Sequence, residues 1–279
     1  MKNKTKDRKY FYKNKAGKLS HTVNRNTIFI TLLFVPVVLI ISLIYIYYKD
    51  NDFFDIKSFI NSINFLILLK ASFLTFSRII IAYVLSLITA LALALIVTSN
   101  KTVERFLLPV FDVIESVPIL AFFPLIIGTF LYVNFLEGAA IFIIYITMVW
   151  TLVFTMVGGI KLIPKDIKYA AQIYKIKSFD YVRHVLIPAI TPEIVTGSIL
   201  SFATAWDIIM VAEVLHVYIP NSDKSIDLLG LGSILVNSSN EGNHYMFLAS
   251  TICMIFIITV VNIFVWQKLL NYSEKFRFD

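Results

Sequence analysis

Long apolar runs alternate with polar intervals along the chain, and the run lengths set the first expectation. Six stretches, residues 27–48, 72–98, 106–132, 139–160, 194–215 and 244–267, can each cross a hydrocarbon core of about 30 Å at about 1.5 Å per helical residue. The pattern predicts an all-α, polytopic membrane protein with six transmembrane helices. It divides into a basic tail (1–26), a first transmembrane helix (27–48), an external linker (49–71), a core with five transmembrane helices (72–267) and a second tail (268–279). The third run is irregular. Pro109, Asp112, Glu115, Pro118, Pro124 and Gly128 predict a broken path, which at membrane depth is tolerated only beside protein or a water-filled cavity. Asp112 and Glu115, three apart, share a helix face.

Composition agrees with the pattern. The chain is 58% hydrophobic with a mean hydropathy of +0.79, above the apolar share of soluble domains. The net charge of +7 would suggest nucleic acid, but its placement argues for topology instead. With both termini placed inside, twenty basic residues fall on inner segments, and only Lys49, Lys57, Lys70 and Lys224 fall on outer ones. The remaining basic residue, Arg78, lies near the outer end of the second run, where a long side chain can snorkel to the interface. No cleavable leader is expected, because the first apolar run is too long for one. Cys253 stands alone, which excludes an intrachain disulfide. His21, His184, His216 and His244 have no metal-ligand spacing, and no Gly-x-x-x-x-Gly-Lys-Ser/Thr phosphate loop occurs. No catalytic residue, metal or cofactor is expected.

Residues 161–197 form the longest polar interval between two strongly apolar runs. Connections usually span about 4–6 residues. This one carries Lys161, Lys165, Lys168, Lys175, Lys177 and Arg183, and reads as two short helices, 164–174 and 178–186, lying along the inner face. Ser178 is the expected N-cap of the second, with Asp180 in its first turn. Ala170 and Ala171 would let a partner approach closely. Pro188 and Pro192 would stop the second helix and redirect the chain, and Thr191, Pro192 and Glu193 read as N-cap, first helical residue and dipole-favoured anion of the fifth span. Two short surface helices tied to two spans make a lever between a cytoplasmic partner and the bilayer. Beyond the fifth span, residues 216–243 read as an external segment in which Gly230-Leu231-Gly232 serves as a turn or a gate.

The interval resembles the coupling loop of permease subunits of ABC importers, whose signature is Glu-Ala-Ala, three residues, Gly, nine residues, then Ile-x-Leu-Pro. Here Tyr169-Ala170-Ala171 stands first, Lys175 takes the glycine position, and Val185-Leu186-Ile187-Pro188 ends the match without a gap. The usual glutamate is thus Tyr169 and the usual glycine Lys175, a residue that disfavours positive φ. Residues Ile114-Glu115-Ser116-Val117-Pro118-Ile119-Leu120-Ala121, the pairs Ala205-Trp206 and Ala212-Glu213, and Gly230-Leu231-Gly232 are similar to the subfamily handling nitrate, sulfonates and taurine.

The resemblance implies a subunit without its own ATPase site, with ATP bound by a cytoplasmic ABC ATPase. It also implies an external solute-binding protein and a second permease chain, identical or related. Docking would fall to Lys168, Tyr169, Ala170, Ala171, Lys175, Ile187 and Pro188, and pathway or gating roles to Glu115, Pro118, Trp206, Glu213, Gly230 and Gly232. The location would be the cell membrane. A gradient-driven transporter would instead show inverted repeats and paired broken helices. A membrane scaffold would need no ATPase dock.

Overall fold

The structure is a computed structural model describing residues 63–219 and 226–276. The basic tail, the first expected span and most of the linker lie outside the described residues. Among the described residues, four helices are long and apolar enough to cross a membrane, and a bent pair brings the number to as many as five. The long helices and the bent pair overlie the apolar runs 72–98, 106–132, 139–160, 194–215 and 244–267.

Helix α1 (Phe65–Ser99) is capped by the Asn64 side chain, which accepts from the Ile67 amide. It begins seven residues before the expected span and takes in Lys70. Asn100 ends it and its side chain caps α2 (Lys101–Ser116). After a 3-10 turn at Ile119–Phe122 comes α3 (Phe123–Tyr132). The two arms, Lys101–Ser116 and Ile119–Tyr132, meet at 76°. Of the three prolines only Pro118 breaks the path. It forces Val117 into an extended conformation (φ −75°, ψ 125°), whereas Pro109 lies inside α2 and Pro124 sits in the first turn of α3.

Helix α4 (Leu136–Leu162) is the central element, packed between α1 and α7 (Thr191–Ala212). Lipid tails are as apolar as leucine, so close packing of small residues has to hold such helices together. On α1 the stripe Ala82, Ser86, Ala90 and Ala94 repeats every fourth residue, and all four are fully buried. On α7 Gly197, Ser201 and Ala205 repeat in the same way, and a Cβ at Gly197 would run into Thr155 of α4. Each stripe adds a hydroxyl contact to the α4 backbone. Ser86 Oγ lies 2.8 Å from Ala82 O and 3.1 Å from Tyr145 O, and Ser201 Oγ lies 2.7 Å from Gly197 O and 3.3 Å from Met148 O. Ser86→Leu would overpack this seam at a cost of about 1–3 kcal/mol, read as a lower melting temperature in detergent. An unchanged melting temperature would mean that the seam is loose.

The remaining elements close the two ends of this packed trio. Helix α8 (Leu231–Asn240) occupies the segment read from sequence as external turns. Helix α9 (His244–Val261) continues through a π turn (Asn262–Trp266) into α10 (Gln267–Ser273) and a 3-10 turn ending at Phe276. The helical path therefore runs well into the expected second tail. Trp266, Phe202 of α7 and Tyr83 of α1 form an edge-on aromatic cluster, with centroids 4.9 Å apart for Tyr83–Phe202 and for Phe202–Trp266.

Candidate functional site

The interval between α4 and α7 folds into the two expected short helices. Helix α5 (Lys165–Ile173) follows Pro164, and α6 (Ser178–Tyr181) runs on through a π segment (Val182–Leu186) and one turn at Ile187–Ala189. The π segment is where Pro188 acts. Proline offers no amide to the carbonyl four residues back and crowds it, and the wider turn relieves both effects, with the Ile187 amide bonded to Val182 O. The second helix is therefore not stopped at Pro188 as the sequence suggested. It carries on, with one irregular residue at Ile190, into α7. Thr191 is correspondingly not an N-cap. It lies inside the helix, donating from Oγ1 to Ile187 O at 2.9 Å, and Pro192 occupies the second helical position.

The bend between α5 and α6 is made at Lys175, with φ +51°. The amide of Ile176 bonds to Ala171 O at 3.1 Å and that of Lys175 to Gln172 O at 3.0 Å, a Schellman termination with lysine where glycine is usual. A left-handed lysine costs about 1 kcal/mol relative to glycine. The chain accepts that strain rather than making the bend another way. Lys175→Gly should accordingly raise the melting temperature and slow proteolysis at residues 174–177. Faster cleavage would mean that the lysine side chain itself holds the bend.

The loop has two faces. Ala171, 7% exposed, turns inward to a groove of about 510 Å³ that Leu95 and Ser99 of α1, Ile160 of α4 and Leu186 also line. Lys168 lines the same groove and donates from Nζ to Ile160 O at 3.4 Å, tying α5 to the end of α4. Lys161 pairs with Glu104 of α2 at 2.6 Å. Burial pushes the Tyr181 phenol above its ordinary range, so it lines the groove as a neutral hydroxyl. Facing out are Tyr169, Ala170, Ile173, Tyr174 and Phe179, with Ile173 78%, Tyr174 80% and Phe179 73% exposed. The alanine pair is thus split: Ala170 leaves room on the outer face and Ala171 belongs to the chain's own packing. Ile187 and Pro188 are half-buried in the descent to α7.

At the opposite end of α1 and α4, Arg78 is 2% exposed and does not snorkel. Its Nε and Nη2 donate to the two carboxylate oxygens of Glu137 at 2.6 and 2.7 Å, and its Nη1 donates to Glu213 Oε1 at 2.6 Å and Leu229 O at 3.0 Å. Glu213, at 0% exposure, also accepts from Thr75 Oγ1 at 2.7 Å and from the Gly232 amide at 2.8 Å, so it caps the N-terminus of α8. Here the two glycines have their reason. A Cβ on Gly230 would overlap the Glu213 carboxylate, and one on Gly232 would lie 2.8 Å from Ile209 O and Met210 Cα. Asp227 holds the incoming loop, accepting from the Leu215 and His216 amides at 2.9 and 3.0 Å. Sequence reasoning singled out Glu213, Gly230 and Gly232 without Thr75, Glu137 or Asp227. A lone charge within an apolar run was the available signal.

Glu115 and Pro118 meet Asp207 at a third place, a cavity of about 810 Å³ bounded by the α2–α3 break, α4 and α7. Trp206, beside Asp207 in sequence, is buried and does not line that cavity. No group of His, Cys, Asp and Glu side chains able to hold a metal occurs among the described residues.

A sequence model of the binding-protein-dependent transport system inner membrane component family matches residues 82–267. The chain is 32% identical over 138 residues to a nitrate import permease protein of Leptolyngbya laminosa (50% of this chain, 48% of that protein). It is 27% identical over 138 residues to a bicarbonate transport system permease protein of Synechococcus elongatus (50% and 49%). The matches span about half the length of these relatives. A putative ABC transporter permease protein of Methanocaldococcus jannaschii is 25% identical over 217 residues (73% and 75%). The fold is that of a bacterial ABC transporter involved in alginate import, at a TM-score of 0.64, 13% identity and coverage of 96% of this chain and 99% of that one. The inward-facing methionine ABC transporter gives 0.63 at 14% identity, covering 75% and 97%. The chain belongs to the family of inner membrane components of binding-protein-dependent transport systems and is a multi-pass membrane protein.

Proposed function

We propose that this chain lines the translocation pathway for a small solute and is driven by a separate cytoplasmic ABC ATPase seated on residues 165–189. The observation that carries this reading is the outward ridge of Tyr169, Ile173, Tyr174 and Phe179 on two short helices whose other side is tied to α1 and α4. Such a ridge in water is the mark of a surface with a partner. Its attachment at both ends to packed spanning helices lets a motion of the partner reach α4 and α7 together. The relatives named for nitrate and bicarbonate support a small solute, and the solved alginate transporter in complex with a periplasmic protein supports delivery by an external binding protein. Two such chains, identical or related, would complete the pathway, with the six spans and the N-in, C-in orientation expected from sequence.

The test is affinity purification of the full chain from membranes holding all subunits of its importer. An ABC ATPase is expected to accompany it in a fixed ratio and to hydrolyse ATP faster when the loaded binding protein is added. Purification without any ATPase would sink this reading and favour a gradient-driven transporter.

A further inference from the structure

The groove behind the loop holds donors that the fold leaves unused. Its lining divides into an apolar part, with Leu95, Ile160 and Leu186, and a polar part, with Lys168, Gln172 and Tyr181. An ammonium carries three donors. Among the described residues Lys168 makes one hydrogen bond, to Ile160 O, and at 3.4 Å it is long. It makes no ion pair among those residues, whereas Lys161 is held by Glu104. The Tyr181 hydroxyl and the Gln172 carboxamide have no partner among them either. Position narrows what can fill the groove. Leu95 and Ser99 stand in the last two turns of α1 and Ile160 in the last turn of α4, so the groove lies where spanning helices give way to a surface loop. Charge narrows it further. Residues 161–186 carry six basic residues and two acidic ones, and Lys101 and Arg105 at the start of α2 are exposed beside them. Basic residues just inside a membrane attract anionic lipids, and basic pockets between spanning helices on that side hold their headgroups. A soluble anion would use only the polar part of the lining. A phospholipid uses both, with its phosphate on the donors and its first methylenes on the apolar side chains.

We propose that this groove seats one anionic phospholipid of the inner leaflet, with Lys168, Tyr181 and Gln172 holding its phosphate and the ends of α1 and α4 holding its acyl stems. The assignment takes from the reading above only the cytoplasmic placement of the loop. The exposed ridge of Tyr169, Ile173, Tyr174 and Phe179 lies on the loop's other face, so lipid and ATPase do not compete. The bound lipid cements α5 to α1 and α4 where the protein itself supplies one long hydrogen bond. Transmission of a partner's motion through the loop then depends on the lipid.

The test labels the full permease in nanodiscs with N-ethylmaleimide, on a Cys253→Ser background. One variant carries Ile176→Cys, within the groove, and a control carries Thr102→Cys, exposed at the start of α2 and outside it. The reagent is uncharged, and the control reads the surface potential that an anionic membrane imposes on a nearby thiol. When phosphatidylglycerol replaces part of the phosphatidylcholine, the Ile176→Cys rate divided by the control rate is expected to fall about fivefold or more. Adding Lys168→Gln with Tyr181→Phe should restore the quotient to its value in phosphatidylcholine. An unchanged quotient, or a fall that the two substitutions leave intact, would overturn the proposal. An equal fall when inorganic phosphate is added to phosphatidylcholine discs would overturn it in favour of a soluble anion. The labelling needs no ATPase. Protection by phosphatidylglycerol in a permease with which no ATPase purifies would discard the docking reading and leave the lipid site standing.

Discussion

Arg78→Met is expected to lower the melting temperature of the detergent-purified protein further than Ser86→Leu does. Among the described residues the guanidinium is the charged partner of Glu213, and both groups are withdrawn from solvent. Removing it leaves a carboxylate buried at 0% exposure with, among the described residues, Thr75 and backbone amides to hold it. Breaking a buried pair in this way typically costs about 3–5 kcal/mol. The same change frees the Leu229 carbonyl and Glu137, loosening the entry to α8. The double variant Arg78→Met/Glu213→Met should recover part of the loss, because no unpaired charge then remains inside. Fluorescence-detected size-exclusion chromatography after heating reads both variants. A wild-type melting curve for Arg78→Met would show that water reaches the pair and that the network is ornamental.

The second large effect is expected at the ridge. Tyr174→Asp and Phe179→Asp, each alone, should release the ATPase during purification and abolish transport while leaving the melting temperature of the permease unchanged. Both side chains lie mostly in solvent, so the isolated fold loses little. Aromatic anchors at the centre of an interface commonly contribute about 2 kcal/mol or more, roughly thirtyfold in affinity, and a buried aspartate adds its desolvation cost. Ala171→Trp is the instructive contrast. Ala171 faces the groove against α1 and α4, so a tryptophan there would disturb the loop's own seat and lower stability as well as docking. Retention of the ATPase at wild-type level by both aspartate variants would move the dock elsewhere.

The apolar runs were legible in sequence because apolar length is a local property, and the four long helices and the bent pair fall where the runs fall. The two helices of the loop were legible for the same reason, through Pro164 and the residues of their first turns. What escaped was non-local. Arg78 meets its carboxylates across 59 and 135 residues, and no window reveals such partners. Helix α8 was hidden because its opening, Leu229 to Ser233, looks like a turn; distant Glu213 accepts from the Gly232 and Ser233 amides, beside the local Ser233 hydroxyl that accepts from the Gly230 amide. Lys175 shows the opposite case. Sequence named its position correctly, but intrinsic preference argued against the conformation that the surrounding helices impose. The π segment before Pro188 was foreseen only as a stop, since proline announces a disturbance and not its form.

The two small-residue seams on α4 have a mechanical consequence. Backbones in such close register, with serine hydroxyls bridging them, leave little side-chain bulk to shear, so α1, α4 and α7 form a stiff beam. A transporter built on a stiff beam must place its compliance outside it, and the 76° elbow at Val117–Pro118 lies free of both seams. Amide hydrogen exchange should accordingly be slowest along residues 143–153 and measurably faster at 114–122. Such an elbow would act as the leaf spring of the assembly, with the beam serving as its clamp.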